Sequence, residues 1–102
     1  VLLTIIKRKE RFDLTMQLFL LKNKANNSMY VLAEDKKSAQ TSGLIRNFAR
    51  NKINMNVLNM TQAYCEGINL ETASAGVVDV SQFPSQEEIR QCVIDMGGKL
   101  KN

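Results

Sequence analysis

The sequence predicts an α+β domain of two layers, with a mainly antiparallel sheet of about five strands (β-β-β-α-β-β-α) covered by two helices. Three observations carry that prediction. Phe12, Leu14, Met16, Leu18 and Leu20 alternate with Asp13, Thr15 and Gln17, the period of two that marks a strand. Ile89, Cys92, Val93 and Met96 recur at i, i+3, i+4 and i+7, the spacing of one helix face. A second helix-periodic stretch lies between two short apolar runs, "MYVLA" and "INMNV", that read as strands.

Val1 to Ile6 is apolar and β-branched on both faces, which suits an interior strand. "KRKERF" separates it from the alternating run, so an antiparallel hairpin is the simplest arrangement. A continuous helix is the rival, since neither glycine nor proline marks that turn. At Phe19 and Leu21 the second face becomes apolar too, so this strand should end buried on both sides. "KNKANNS" has the chemistry of a turn, and Met29 to Ala33 follows as a short strand.

In "EDKKSAQTSGLIRNFARNK", Leu44, Ile45, Phe48 and Ala49 share helical spacing with Ala39 and Thr41. Arg46, Asn47, Arg50 and Asn51 then fall on the opposite face. Glu34 and Asp35 at its start, with Arg50 and Lys52 at its end, complement the helix dipole. Ser42 and Gly43 weaken the first half, so the firm part is expected from near Gly43. With its flanking strands this helix fits a right-handed β-α-β crossover. Ile53, Met55 and Val57 alternate before Leu58 and Met60 take over the phase, which predicts a bulge or a change of face. "EGINLETASAG" reads as loop and Val77 to Val80 as a short strand. Ser85 is placed to cap the last helix, Glu88 completes a capping box, and Gly97 supplies a left-handed stop.

The end of the chain, "EEIRQCVIDMGGKLKN", resembles the first helix of a BRCT domain, where a helix ends in a double glycine and returns to a strand. The resemblance covers about a sixth of the chain and no family is claimed from it.

A length of 102 residues fits a single domain spanning 1–102, and a hydrophobic share of 44 % can fill a core. No apolar run approaches the ~20 residues of a membrane span, and a cytoplasmic protein is expected. The chain has no histidine, and Cys65 and Cys92 form no CxxC pair, so neither a metal site nor a cofactor is expected. The two cysteines read most simply as small core residues, with a single disulfide as the alternative. P-loop, GxGxxG, GxSxG and HExxH patterns are all missing, as is the usual general base. We therefore expect a non-enzymatic protein with no catalytic residues.

Charge is the informative feature. The net charge is +4, but residues 1–52 hold eleven of the fourteen Lys and Arg and four of the ten acids, for +7. The remaining half is −3. Such asymmetry speaks to partners. Lys7, Arg8, Lys9 and Arg11 at the expected hairpin tip, with Arg46 and Arg50 one turn apart on the helix, suit contacts to a phosphate backbone. Lys22 and Lys24 are expected a strand length from that tip, and Lys36 and Lys37 open the helix. Phe12, Phe19 and Phe48 read as core, so backbone contacts are expected ahead of base stacking. The leading expectation is a small DNA- or RNA-binding accessory protein that acts as a homodimer. The alternative is a protein-binding module, an inhibitor or assembly subunit, working through Leu3 and Ile5 of an apolar N-terminal strand. The abundance of Lys, Asn and Ile fits an AT-rich genome, and the small size fits a phage or plasmid origin.

Overall fold

The computed structural model describes residues 15–101. The expected strand at Val1 to Ile6 and the turn at Lys7 to Arg11 lie outside them. Strand β1 (Gln17–Asn23) is one of the two interior strands of a four-stranded antiparallel sheet, whose order is β3 (Met55–Asn59), β1, β2 (Ser28–Ala33), β5 (Gly76–Val78). Leu18 to Leu21 are all buried, as their apolar character on both faces requires. The "KNKANNS" turn forms as read. Asn26 adopts a positive φ of 65°, and the Asn27 N–H donates to Asn23 Oδ1 at 3.0 Å. Strand β2 (Ser28–Ala33) returns along β1 with Leu18 opposite Leu32 and Leu20 opposite Tyr30.

Helix α1 (Lys36–Ile45) starts at Asp35, whose carboxylate accepts from the Ser38 N–H at 2.7 Å. It occupies the half that was expected to be weak. Gly43 is not a defect there but the point of closest approach to the sheet. A Cβ on it would stand 2.7 Å from Leu21 Cδ2 and from Met55 Cε. The helix stops at Asn47, in the left-handed conformation at φ 58°. Phe48 N–H reaches Gly43 O at 2.9 Å and Asn47 N–H reaches Leu44 O at 3.1 Å, the pair of bonds that closes a Schellman motif. Ile45, read as core-facing, is therefore 74 % exposed. Phe48 and Ala49 still pack on the core, from a loop.

A 3₁₀ turn (Lys52–Asn54) leads into β3 (Met55–Asn59), which pairs with the other side of β1. Both β2 and β3 are antiparallel to β1, so they are parallel to each other. The β-α-β crossover is present with β1 between its strands. The change of hydrophobic phase in β3 is not a bulge. Its register with β1 is continuous, Leu58 faces away from Met55 at the sheet edge, and Met60 leaves the strand.

A single helical turn, α2 (Thr61–Tyr64), follows, with Thr61 Oγ1 accepting from the Leu18 N–H at 2.9 Å. Strand β5 (Gly76–Val78) adds to the outer side of β2. Helix α3 (Gln86–Asp95) is capped by Ser85 as read. Glu88 turns instead to Ser81, accepting from its hydroxyl at 2.8 Å, so only half of the capping box forms. Gly97 ends the helix at φ 111°. The strand that follows the double glycine, β6 (Lys99–Leu100), pairs with β4 (Ile68–Asn69) in a small second sheet; the loop reading of residues 66–76 missed β4.

The fold is α+β with a mostly antiparallel four-stranded sheet, a second small sheet and three helices among the described residues. Its layering is finer than a sheet covered on one side. Phe19, Leu21, Val31, Ala33 and Met55 meet Ala39 of α1 on one face. Leu18, Leu32 and Val78 meet Cys65, Ile89 and Val93 on the other. Alternation along the strands makes these opposite faces, so helices lie on both sides. The six described strands, one more than expected, divide into the four of the main sheet and the β4–β6 pair.

Candidate nucleic-acid interface

Strand directions gather three connections at one end of the main sheet. Strand β1 runs toward the β1–β2 turn, β3 begins at Met55 opposite Asn23, and β5 leaves past Val78 opposite Tyr30. The connection from α1 reaches the same end, because α1 starts beyond Ala33 and runs back over the sheet. Asn23 fastens two of these segments together. Its Nδ2 donates to Phe48 O at 2.9 Å while its Oδ1 holds the turn. Asn51 does similar work next door, with Oδ1 accepting from the Asn54 N–H at 3.1 Å.

Five cations share this end: Lys22 and Lys24 on the β1–β2 hairpin, and Arg46, Arg50 and Lys52 on the α1–β3 connection. All five are exposed, and residues 22–28 and 46–56 contain no Asp or Glu. Exposed Ile53 and Ile45 lie among them. Like charges on adjacent loops raise the local positive potential, which favours a polyanion.

Arg46 and Arg50 were expected one turn apart on a helix face. The structure corrects this: Arg46 is the C-cap of α1 and Arg50 lies beyond it, because Asn47 ends the helix between them. It does bring both to the same end of the sheet as Lys22 and Lys24, which the sequence placed on a separate element. Lys36 and Lys37 open α1 at the opposite end of the sheet. Arg90 is used within the fold, its Nη1 donating to Tyr64 O at 3.0 Å and Glu66 O at 2.6 Å. Lys7, Arg8, Lys9 and Arg11, and the interface residues Leu3 and Ile5, lie outside the described residues.

Beside the cations the β1–β2 turn and the β5–α3 connection enclose an open cleft of about 890 Å³. Asn26, Asn27 and Ser28 line it, together with Tyr30, Asp79 and Phe83. Phe83 is 88 % exposed. Sequence reasoning passed over it. The available signal was an aromatic in the polar stretch "SQFPS", followed by the chain's one proline, which restricts the backbone before it. Tyr30 packs edge-on against Tyr64, with ring centroids 5.9 Å apart. Burial, reinforced by the hydrogen bond and charge of Tyr64, pushes the Tyr30 hydroxyl up to about 12, so it remains protonated at neutral pH.

Cys65 and Cys92 are both free thiols. Burial raises both pKa values; the nearby Arg90 partly opposes this at Cys65, and Asp95, Glu88 and Asp79 add to it at Cys92. Among the described residues, no group of three or more His, Cys, Asp or Glu could hold a metal ion, and no helix is long and apolar enough to cross a membrane.

No family model, no curated protein and no solved structure matches the chain.

Proposed function

We propose that this protein is a small non-enzymatic nucleic-acid-binding accessory protein whose basic sheet end contacts phosphate. The observation that carries the proposal is the convergence of Lys22, Lys24, Arg46, Arg50 and Lys52, on two separate connections that contain no Asp or Glu, at one end of the main sheet. Lys7, Arg8, Lys9 and Arg11 supply further positive charge from the N-terminal segment. A homodimer would double the basic area. Two free thiols are in keeping with a reducing, cytoplasmic setting.

The test is binding to a mixed-sequence duplex, single-stranded DNA and RNA over a salt series. Five phosphate contacts correspond to a log–log salt slope of about −4.5 on duplex and about −3.5 on a single strand. Lys24→Glu with Arg50→Glu should weaken binding to every ligand and flatten the slope by about two contacts' worth. Lys7→Glu with Lys9→Glu tests the N-terminal cluster in the same way. Absence of binding at low salt would sink the proposal.

A second reading, a protein-binding module, is favoured by the outer edge of β3. Leu58 there is 47 % exposed on a strand that pairs with β1 along its other side. Association through Leu3 and Ile5 or this edge would be insensitive to salt and lost on placing a charge at Leu3.

A further inference from the structure

We propose that the cleft beside the basic end takes an unpaired nucleobase stacked on Phe83, which makes single-stranded nucleic acid, rather than duplex, the preferred ligand of this surface. The inference rests on the nucleic-acid reading above and specifies its substrate class.

Three features point the same way. The first is the exposed ring itself. Phe83 is 88 % exposed on the wall of a cleft, where its side chain gains nothing from the protein's own core. A duplex offers phosphates and groove edges to a protein but keeps its base faces stacked. Only an unpaired base can lay its face on an aromatic ring. The second is composition. A cleft of about 890 Å³ lies within the range that accepts nucleotide-sized ligands. Its wall carries the amides of Asn26 and Asn27 and the hydroxyl of Ser28, groups able to hydrogen-bond a base edge.

The third feature is charge polarity. Asp79 lines the cleft, and its carboxylate repels phosphate. Arg46, Arg50 and Lys52 lie on the other side of the β1–β2 turn, on the connection into β3, and Lys24 lies in the turn itself. Lys24 is two residues from Asn26, and Asn23 joins that turn to the Arg50 and Lys52 connection. A strand laid across the surface is thus oriented, with phosphates along Lys24, Arg50 and Lys52 and a base turned toward Phe83 and Asp79. Asp79 can also accept a hydrogen bond from an exocyclic amine.

The experiment measures binding of a fluorescent oligothymidylate, an oligouridylate and a short mixed-sequence duplex to the full chain and to its Phe83→Ala and Phe83→Tyr variants. Phe83 is on the surface, so both variants should keep the wild-type circular dichroism and melting transition. Phe83→Ala should weaken single-strand binding about 5- to 150-fold, the loss of one base–aromatic stack, with its salt slope and the duplex affinity unchanged. Phe83→Tyr should retain the single-strand affinity. Equal single-strand affinity in Phe83→Ala, or an equal loss on duplex, overturns the inference while leaving phosphate binding intact. Failure of wild-type protein to bind any of the three probes at low salt overturns the underlying reading as well.

Discussion

Replacing Gly97 with alanine is expected to be among the most damaging small changes in this chain. Gly97 sits at φ 111°, where an L-residue is strained by about 1–2 kcal/mol. Its added Cβ would also stand 2.5 Å from the Thr72 carbonyl oxygen and 3.2 Å from Ala73 Cα. Those are backbone atoms, so the 71–73 turn must move. That turn is held to the end of α3 by Thr72 Oγ1 donating to Gly97 O at 2.5 Å and Ser74 N–H donating to Met96 O at 2.8 Å. Losing both hydrogen bonds costs about 1 kcal/mol each. The total of about 3–4 kcal/mol is a large part of the 5–15 kcal/mol typical of a domain. Gly67 provides the matched control. Its φ is also positive, at 78°, but a Cβ there would meet nothing closer than Arg90 Nη2 at 4.0 Å. Gly67→Ala should therefore cost only the backbone strain. Urea unfolding followed by circular dichroism separates the two, with the Gly97→Ala midpoint falling by about 2 M at an unchanged m-value. Equal midpoints for the two variants would refute the assignment of the larger cost to the Thr72 contact.

Two further predictions concern titration and thiol chemistry. The Ser38 N–H holds the Asp35 carboxyl below the usual aspartate range. Its contribution is therefore present above the unfolded value of about 4 and lost as pH falls through the lower folded value. Asp35→Asn should remove that part of the acid limb, seen as a flatter fall of melting temperature with pH below about 4; an unchanged limb would show that the cap carries no linkage. Burial raises the thiol pKa of both Cys65 and Cys92, with Cys65 the more deeply enclosed. Native protein should react slowly with a thiol reagent, Cys92 before Cys65, and become fully reactive in denaturant. Immediate modification of both thiols in native protein would contradict the packing described.

Much of the fold is legible in local chemistry. Ser85, the 89–92–93–96 spacing and Gly97 specify α3 almost residue by residue. The apolar character of Leu18 to Leu21 on both faces marks a strand covered on both sides, and "KNKANNS" marks the turn that follows it. The errors have equally local causes. Asn47 can adopt a positive φ as glycine does, and so ends α1 inside a stretch whose apolar spacing continues to Ala49. Gly43 lowers helix propensity, yet close contact with Leu21 and Met55 outweighs that cost. Strand β4 has two residues, too few for periodicity to register.

The candidate site was less legible. The sequence identified Arg46 and Arg50 but on the wrong element, kept Lys22 and Lys24 apart from them, and gave no weight to Phe83. By itself the sequence determines the α+β class, the basic first half and the caps and turns, because these depend on residues within a few positions of one another. Only the tertiary structure decides that residues 22–28, 46–56 and 79–84 meet at one end of a sheet. That meeting depends on strand order and direction, set by burying Leu18 and Leu32 on one face and Phe19 and Val31 on the other. The charges and the exposed ring take no part in that burial, so no local pattern among them could reveal where they would be carried.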